Sequence, residues 1–319
     1  MKEKKEVIII LILLFSFNLF AWLVVYNLSQ PQFLKVIFFD IGQGDAIYIE
    51  SPQRHKVLID GGPSSFILEK LNQEIPFWDR TIDLIILTHP EKDHLAGLLD
   101  VLKSYKVENI LWTGVKRDTA EFEEWQRLIK KERANILIAE IGQRVEFEKS
   151  YIYILFPFEN LEGKEFKNTN NTSIVAKLVF GRNSFLFTGD IYKSAEGELI
   201  NRGLNIDSDV LKVAHHGSKT SSSPEFVEKV SPEIAVIQVG KNNYYGHPHP
   251  EILETFKKYG IKIFRTDLDS DIKIISNGKK IAIKDVMNKL LVNILCNLKL
   301  KRKIKETLTK LLKILEKNS

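Results

Sequence analysis

The chain has 319 residues, 44% of them hydrophobic and 27% charged, enough to bury a substantial core in one large domain or two small ones. That balance excludes a wholly disordered chain and a multi-span membrane protein. The single cysteine, Cys296, excludes a disulfide framework and any multi-cysteine zinc or iron–sulfur site, so a bound metal must take His, Asp and Glu as ligands. The net charge of +5 is concentrated at the C-terminal end, where residues 284–319 carry ten Lys/Arg against three Asp/Glu. The middle of the chain is left slightly acidic, so the basic balance is no evidence that the core binds a polyanion.

In chain order, residues 1–6 form a short basic N-terminus, MKEKKE. Residues 7–28 then run without a charge, with Asn18 as the one strongly polar interruption and Trp22 and Tyr26 where an interfacial aromatic belt would fall. About 20 apolar residues cross a bilayer core, so this segment is expected to be an uncleaved, single-pass membrane anchor. Lys2, Lys4 and Lys5 predict a cytoplasmic N-terminus and an extracytoplasmic remainder. A cleaved signal peptide is the competing reading, but the exit WLVVYNLSQPQ offers no small-residue cleavage site.

From residue 34 to 283 short strands and helices alternate. LKVIFF, DAIYIE, HKVLID, IDLIIL, NILW, YIYILF, SIVAKLVF, SFLF, DVLKVA, EIAVIQ and IKIF read as strands between Gly, Pro and Asp breakers. Helices are expected at SFILEKLNQ and near 95–104, 194–202, 224–230 and 250–258. This order predicts two mixed sheets covered by helices, an α/β (α+β) domain. Ionisable residues recur at the ends of the apolar strands: Asp60, His89 to His94, Asp190, His215 with His216, and His247 with His249. Six of the seven histidines lie in these segments, which a scatter of surface histidines would not produce. In HPEKDH, His89, Glu91, Asp93 and His94 on one tight turn are able to serve two neighbouring cations, and Asp190, with two oxygens, to bridge them. His55 reads as a surface turn residue, His249 as a cap of the helix starting at Pro250, and Asp40, Gly42, Gly44 and Asp45 as a tight hairpin turn.

The segments FFDIGQGDAIYIE, VLIDGG, THPEKDHLAGL, NNTSIV, FLFTGD, DVLKVAHHGSKTSSS, VGKNNYYGHPH and FRTD resemble the metallo-β-lactamase fold, and within it the hydrolase-like domain of the ComEC competence DNA-uptake proteins. The resemblance implies a four-layer αββα sandwich with its active site at one edge of the two sheets. It implies one or two divalent ions, Zn²⁺ or Mn²⁺ with Mg²⁺ also suited, held by His89, Glu91, Asp93, His94, Asp190 and His247, with Asp60 orienting the loop. Asn170, Asn171 and Thr172 stand where the fold usually has another ligand histidine. By position His247 fits the final ligand; His215 and His216 then serve beside the metals, donating a proton or binding the scissile phosphate. The opposite assignment, with His215 as ligand and His247 supporting it, stays open. Lys212, on the strand leading to His215, is expected to neutralise a phosphate oxygen, and Asp93 to orient the nucleophile.

The implied activity is metal-dependent hydrolysis of a phosphodiester such as one strand of DNA, by a free-standing nuclease or by a subunit working with a separate membrane channel. Two alternatives are a catalytically weak binding or assembly module on the same fold and a hydrolase of acyl or lactam bonds. Residues 284–319 place Leu308, Leu311, Leu312 and Leu315 at helical spacing with lysines opposite, the pattern of an amphipathic packing helix, which also suits an anionic membrane surface or a nucleic-acid backbone.

Overall fold

The structure is a computed structural model that describes residues 2–29 and 33–284. Beyond Lys284, the expected basic tail lies outside the described residues. The chain divides into two compact units, residues 1–33 and the body from Leu34 onward.

The first unit holds α1 (Lys2–Ser29), within which the expected 7–28 segment lies. Its described side chains run from Ile10 to Trp22 with Val25, and are apolar and exposed on all sides apart from Ser16, Asn18 and the half-buried Ala21. Asn18 returns its amide to the helix, Nδ2 donating to the Leu14 carbonyl at 2.9 Å. Among the described residues no helix is long and apolar enough to cross a membrane.

The body begins with β1 (Leu34–Phe38), β2 (Ile47–Glu50), β3 (Lys56–Ile59), α2 (Phe66–Glu74), β4 (Thr81–Leu87), α3 (Lys92–Ser104), β5 (Lys106–Trp112), α4 (Ala120–Glu132) and β6 (Asn135–Ile138). It continues with β7 (Arg144–Phe147), β8 (Ser150–Phe156), β9 (Val175–Phe180), β10 (Asn183–Phe187), α5 (Lys193–Asn201), β11 (Val210–Lys212), α6 (Pro224–Val230) and β12 (Ile234–Ile237). Last come α7 (Pro250–Lys258), β13 (Lys262–Arg265), α8 (Thr266–Asp269), β14 (Ile272–Ser276) and β15 (Ile281–Ile283). One sheet has the order β15-β14-β1-β2-β3-β4-β5-β6 and the other β13-β12-β11-β10-β9-β8-β7.

Strand alternation sorts the side chains between layers. Val36 and Phe38 of β1, Ile47 and Ile49 of β2, Phe185 and Phe187 of β10 and Val236 of β12 meet in the core between the sheets. Their neighbours Ile37, Tyr48 and Leu58 face Leu71 of α2, Leu95 and Leu98 of α3 and Trp125 of α4. On the other sheet Leu186, Leu211 and Ile237 pack with Leu199 of α5, Phe226 of α6 and Phe256 of α7. Two sheets with helices on both outer faces are the arrangement the resemblance implied. β3 to β6 run parallel, as do β10 to β13. In such sheets ligands bind beyond the carboxyl ends of the strands. Asp60 follows β3, His89 follows β4, Asp190 follows β10 and His215 follows β11.

Candidate metal centre

The loop after β3 is built for close approach. Gly61 donates its N–H to the His94 carbonyl at 2.8 Å, and Gly97 of α3 donates to the Gly62 carbonyl at 2.9 Å. A Cβ on Gly97 would collide with the Gly61 carbonyl oxygen, and one on Gly44, at φ 137°, with that of Asp93. These contacts hold the first turn of α3, and with it Asp93 and His94, against the strand ends.

Three imidazoles converge there, each with Nδ1 engaged. His94 Nδ1 donates to Asp60 Oδ2 at 2.8 Å. His216 Nδ1 donates to the Gln238 carbonyl at 2.9 Å. His89 Nδ1 lies 3.0 Å from Thr88 Oγ1 and 3.1 Å from Ser173 Oγ. Those two hydroxyl protons are already donated, to Asp60 Oδ2 and to the Asn170 carbonyl, so Nδ1 of His89 is the donor. All three Nε2 atoms are therefore turned inward, buried and without a hydrogen-bond partner. Fixing one ring nitrogen on a carboxylate or carbonyl is how proteins prepare the other for a metal.

Carboxylates meet these nitrogens. Asp190 Oδ2 lies 3.4 Å from His94 Nε2 and 3.5 Å from His216 Nε2. Asp93 Oδ2 lies 3.3 Å from His216 Nε2 and 3.9 Å from His94 Nε2. Bonds of about 2.1 Å to one cation place its donors about 3.4 Å apart, and Asp93, His94 and His216 offer three converging donors near that spacing. His89 forms another buried cluster with His94 and Asp190.

The charges agree with that reading. Burial opposes ionisation of Asp190, yet His216, His94 and Lys212 hold its carboxyl well below the usual range. Burial likewise opposes a charge on His216, but Asp190 and Asp45 lift it to about 10. His94 is raised in the same way by Asp190, Asp60 and Asp93 against its burial. Burial and the His94 charge push His89 down to about 3. Protons on His94 and His216 thus occupy the places that a divalent cation would take.

Several expected site residues stand apart from the converging donors. Glu91 is not brought to the centre: it accepts from Thr169 Oγ1 and forms an ion pair with Arg117 Nη2 at 2.9 Å. Its side chain precedes the helix and turns outward, while Asp93 and His94, in the first helical turn, face inward. His247 is not among the converging donors; its ring packs 5.6 Å from His215 and 6.4 Å from His216, and the late-histidine position is held by His216. Lys212 is 1% exposed. Its Nζ donates to Asp45 Oδ2 and to the Gly189 carbonyl at 3.0 Å and lies 3.5 Å from Asp190 Oδ1. Its charge therefore faces the Asp45 and Asp190 carboxylates inside the protein. His249 makes no capping bond at the start of α7.

His215 and His216 adopt left-handed φ, 51° and 54°, at a cost of about 1–2 kcal/mol each. That turn gives adjacent rings different partners. His215 Nε2 accepts from Asn170 Nδ2 at 3.2 Å, lies 4.0 Å from Asp190 Oδ2, and has Nδ1 against Thr220 Oγ1 at 3.0 Å. Asn171 points elsewhere, its Oδ1 accepting from Tyr192 N at 2.9 Å. Sequence reading passed over Asp45 as a turn residue. It is 1% exposed, and its Oδ1 lies 3.4 Å from His216 Nδ1. The available signal was the acid at the end of DIGQGD, directly before a strand.

The sequence model described as the metallo-beta-lactamase superfamily matches residues 39–241. The chain is similar to ComE operon protein 3 of Bacillus subtilis (strain 168), 33% identical over 258 residues, or 75% of this chain and 32% of that protein. It is also similar to Competence protein ComA of Neisseria gonorrhoeae, 32% identical over 245 residues, again 75% of this chain and 32% of that protein. The chain therefore spans about a third of the length of these relatives. Among solved structures it is similar in fold to the metallo-beta-lactamase fold protein YhfI from Bacillus subtilis, with a TM-score of 0.52, 14% identity and coverage of 76% of this chain and 100% of that one.

Proposed function

The chain belongs to the metallo-beta-lactamase superfamily, and on that premise we propose that it is a membrane-anchored, metal-dependent phosphodiesterase. The observation that carries the reading is the set of three buried, unpartnered Nε2 atoms aimed at Asp93 and Asp190. Imidazoles with carboxylates suit Zn²⁺ or Mn²⁺, and the oxygen-rich surroundings also suit Mg²⁺. His89, Asp93, His94, Asp190 and His216 would hold divalent ions, which when bound would supply a Lewis acid for a phosphoryl oxygen and lower the pKa of water towards neutrality.

The chain's own residues account for the rest. Asp60 and the Gln238 carbonyl fix the ring planes of His94 and His216. Lys212 holds the buried Asp45 and Asp190 ionised. His215, kept as the Nδ1–H tautomer by Thr220 and Asn170, presents the Nε2 lone pair, which is able to take up a proton. The resemblance of the chain to proteins named for competence supports a polynucleotide substrate. The uncharged 7–28 segment and the lysines before it support a cell-membrane location with the N-terminus cytoplasmic and the body outside, in reach of a separate channel subunit.

The test assays the protein with Mn²⁺, Mg²⁺ or Zn²⁺ on bis(p-nitrophenyl) phosphate and on single-stranded and duplex DNA. Turnover with a divalent ion is expected, falling at least about 10²-fold in Asp93→Ala and in Asp190→Ala. Glu91→Gln should retain its metal content. Metal-loaded protein that cleaves none of these substrates would refute the phosphodiesterase reading.

A further inference from the structure

The loop from β12 to α7 leaves two tyrosines in solvent beside the centre, with relative exposures of 104% for Tyr244 and 67% for Tyr245. Tyr245 stacks on the His247 ring, centroids 5.5 Å apart and planes at 22°. His247 meets His215 edge-on at 5.6 Å, and Tyr192 stacks on His215 at 5.5 Å and 22°. Tyr192, His215, His247 and Tyr245 thus form an unbroken row of rings, which passes His216 at 6.4 Å from His247.

The fold does not need this row. Tyr244 and Tyr245 are absent from the buried cores, and an exposed aromatic ring gains nothing from facing water. Nor is the loop loosely tethered. Asn243 Nδ2 donates to the Gly240 carbonyl at 3.0 Å and to the His247 carbonyl at 2.7 Å, and its Oδ1 accepts from His247 N at 3.0 Å. Gly240 N in turn donates to Gln43 Oε1 at 3.1 Å. The rings are therefore presented on a tied turn at a fixed place next to Asp190 and His216. Exposed Lys219 and Lys241 sit on the same two loops, which suits a ligand with a negative backbone.

We propose that this row is a stacking subsite for an unpaired nucleobase adjoining the scissile phosphodiester, with Tyr245 as its outer ring and the exposed Tyr244 next to it in the chain. The proposal rests on the phosphodiesterase reading and narrows it to single-stranded polynucleotides. Every base offers a π-face, so stacking binds without sequence preference. A paired base has both faces covered by its neighbours and cannot enter.

The experiment measures binding by fluorescence anisotropy, in EDTA so that no cleavage intervenes. It uses the full chain in detergent and two probes of equal length: a labelled single-stranded oligonucleotide and its fully abasic counterpart. The wild type is expected to bind the base-bearing probe about tenfold more tightly. The Tyr244→Ala/Tyr245→Ala double variant should lose that preference while binding the abasic probe unchanged, and the double Phe variant, which keeps both π-faces, should retain it. Equal wild-type affinity for the two probes overturns the subsite, and that comparison decides alone if the Ala variant misfolds. A Phe variant as impaired as the Ala variant also overturns it. Turnover of bis(p-nitrophenyl) phosphate with Mn²⁺ is read separately, so the subsite and the phosphodiesterase reading fail by different observations.

Discussion

His89, His94 and His216 each divide their labour between two ring nitrogens, Nδ1 held by the protein and Nε2 left for an ion. In the metal-free protein the His216 pKa of about 10 has a consequence for stability. A folded-state value above the ordinary 6.5 stabilises fully below 6.5, and that contribution is lost as pH climbs through the folded value. His94, also raised, acts in the same direction. Metal-free protein is thus expected to weaken between about pH 6.5 and 10, while a bound cation that has displaced these protons removes the dependence. Urea midpoints at about pH 6.5, 8 and 9.5 in EDTA and in Mn²⁺ measure it; parallel pH slopes would contradict the assignment. At this scale the sequence was informative about residue type and less so about role. HPEKDH contains three residues that enter the centre, His89, Asp93 and His94, and one that does not, Glu91. A helix begins inside the motif, leaving Glu91 as its extended N-cap while Asp93 and His94 share its first turn.

Between elements, the contact that matters most to the site is α3 against the loop after β3. Gly61 and Gly97 allow their backbones to touch, and the His94 carbonyl is tied there by Gly61 N. Gly97→Ala would place a methyl group against the Gly61 carbonyl, at a cost of about 1–3 kcal/mol for an overpacked contact. Its melting temperature should fall and its metal affinity with it; an unchanged melting temperature would show that α3 can shift freely. Most strands were legible as apolar runs between breakers, and α7 coincides with the 250–258 segment expected to be helical. α4 was not anticipated. Its signals were nonetheless present: Thr119 accepts from Phe122 N at 3.3 Å as an N-cap, and Phe122, Trp125, Leu128 and Ile129 form the buried stripe. The many charges between those positions hid the stripe from a reading by apolar runs.

For the molecule as a whole, charge is separated along the chain: a slightly acidic middle section carries the centre and a basic segment follows it. The uncharged 7–28 segment governs where the protein resides under the proposed reading. Deleting residues 1–28 is expected to move the protein from the membrane fraction to the soluble one while leaving metal binding intact. Persistence of the truncated chain in the membrane fraction would assign attachment to another part of the molecule.

The linear chain by itself determined the layered two-sheet class, because strand alternation and helix periodicity are local patterns. It also determined that metal chemistry belongs at strand ends, because few side chains other than His and Asp can serve it. Which histidine completes the centre was decided only in three dimensions. His215, His216 and His247 are chemically equivalent in sequence, and a pair of left-handed residues after β11 selects His216. Asp45 and Lys212 likewise acquire their roles from burial. Residues 167 positions apart become an ion pair inside the protein, where an unpaired charge would be costly, and no local pattern announces that pairing.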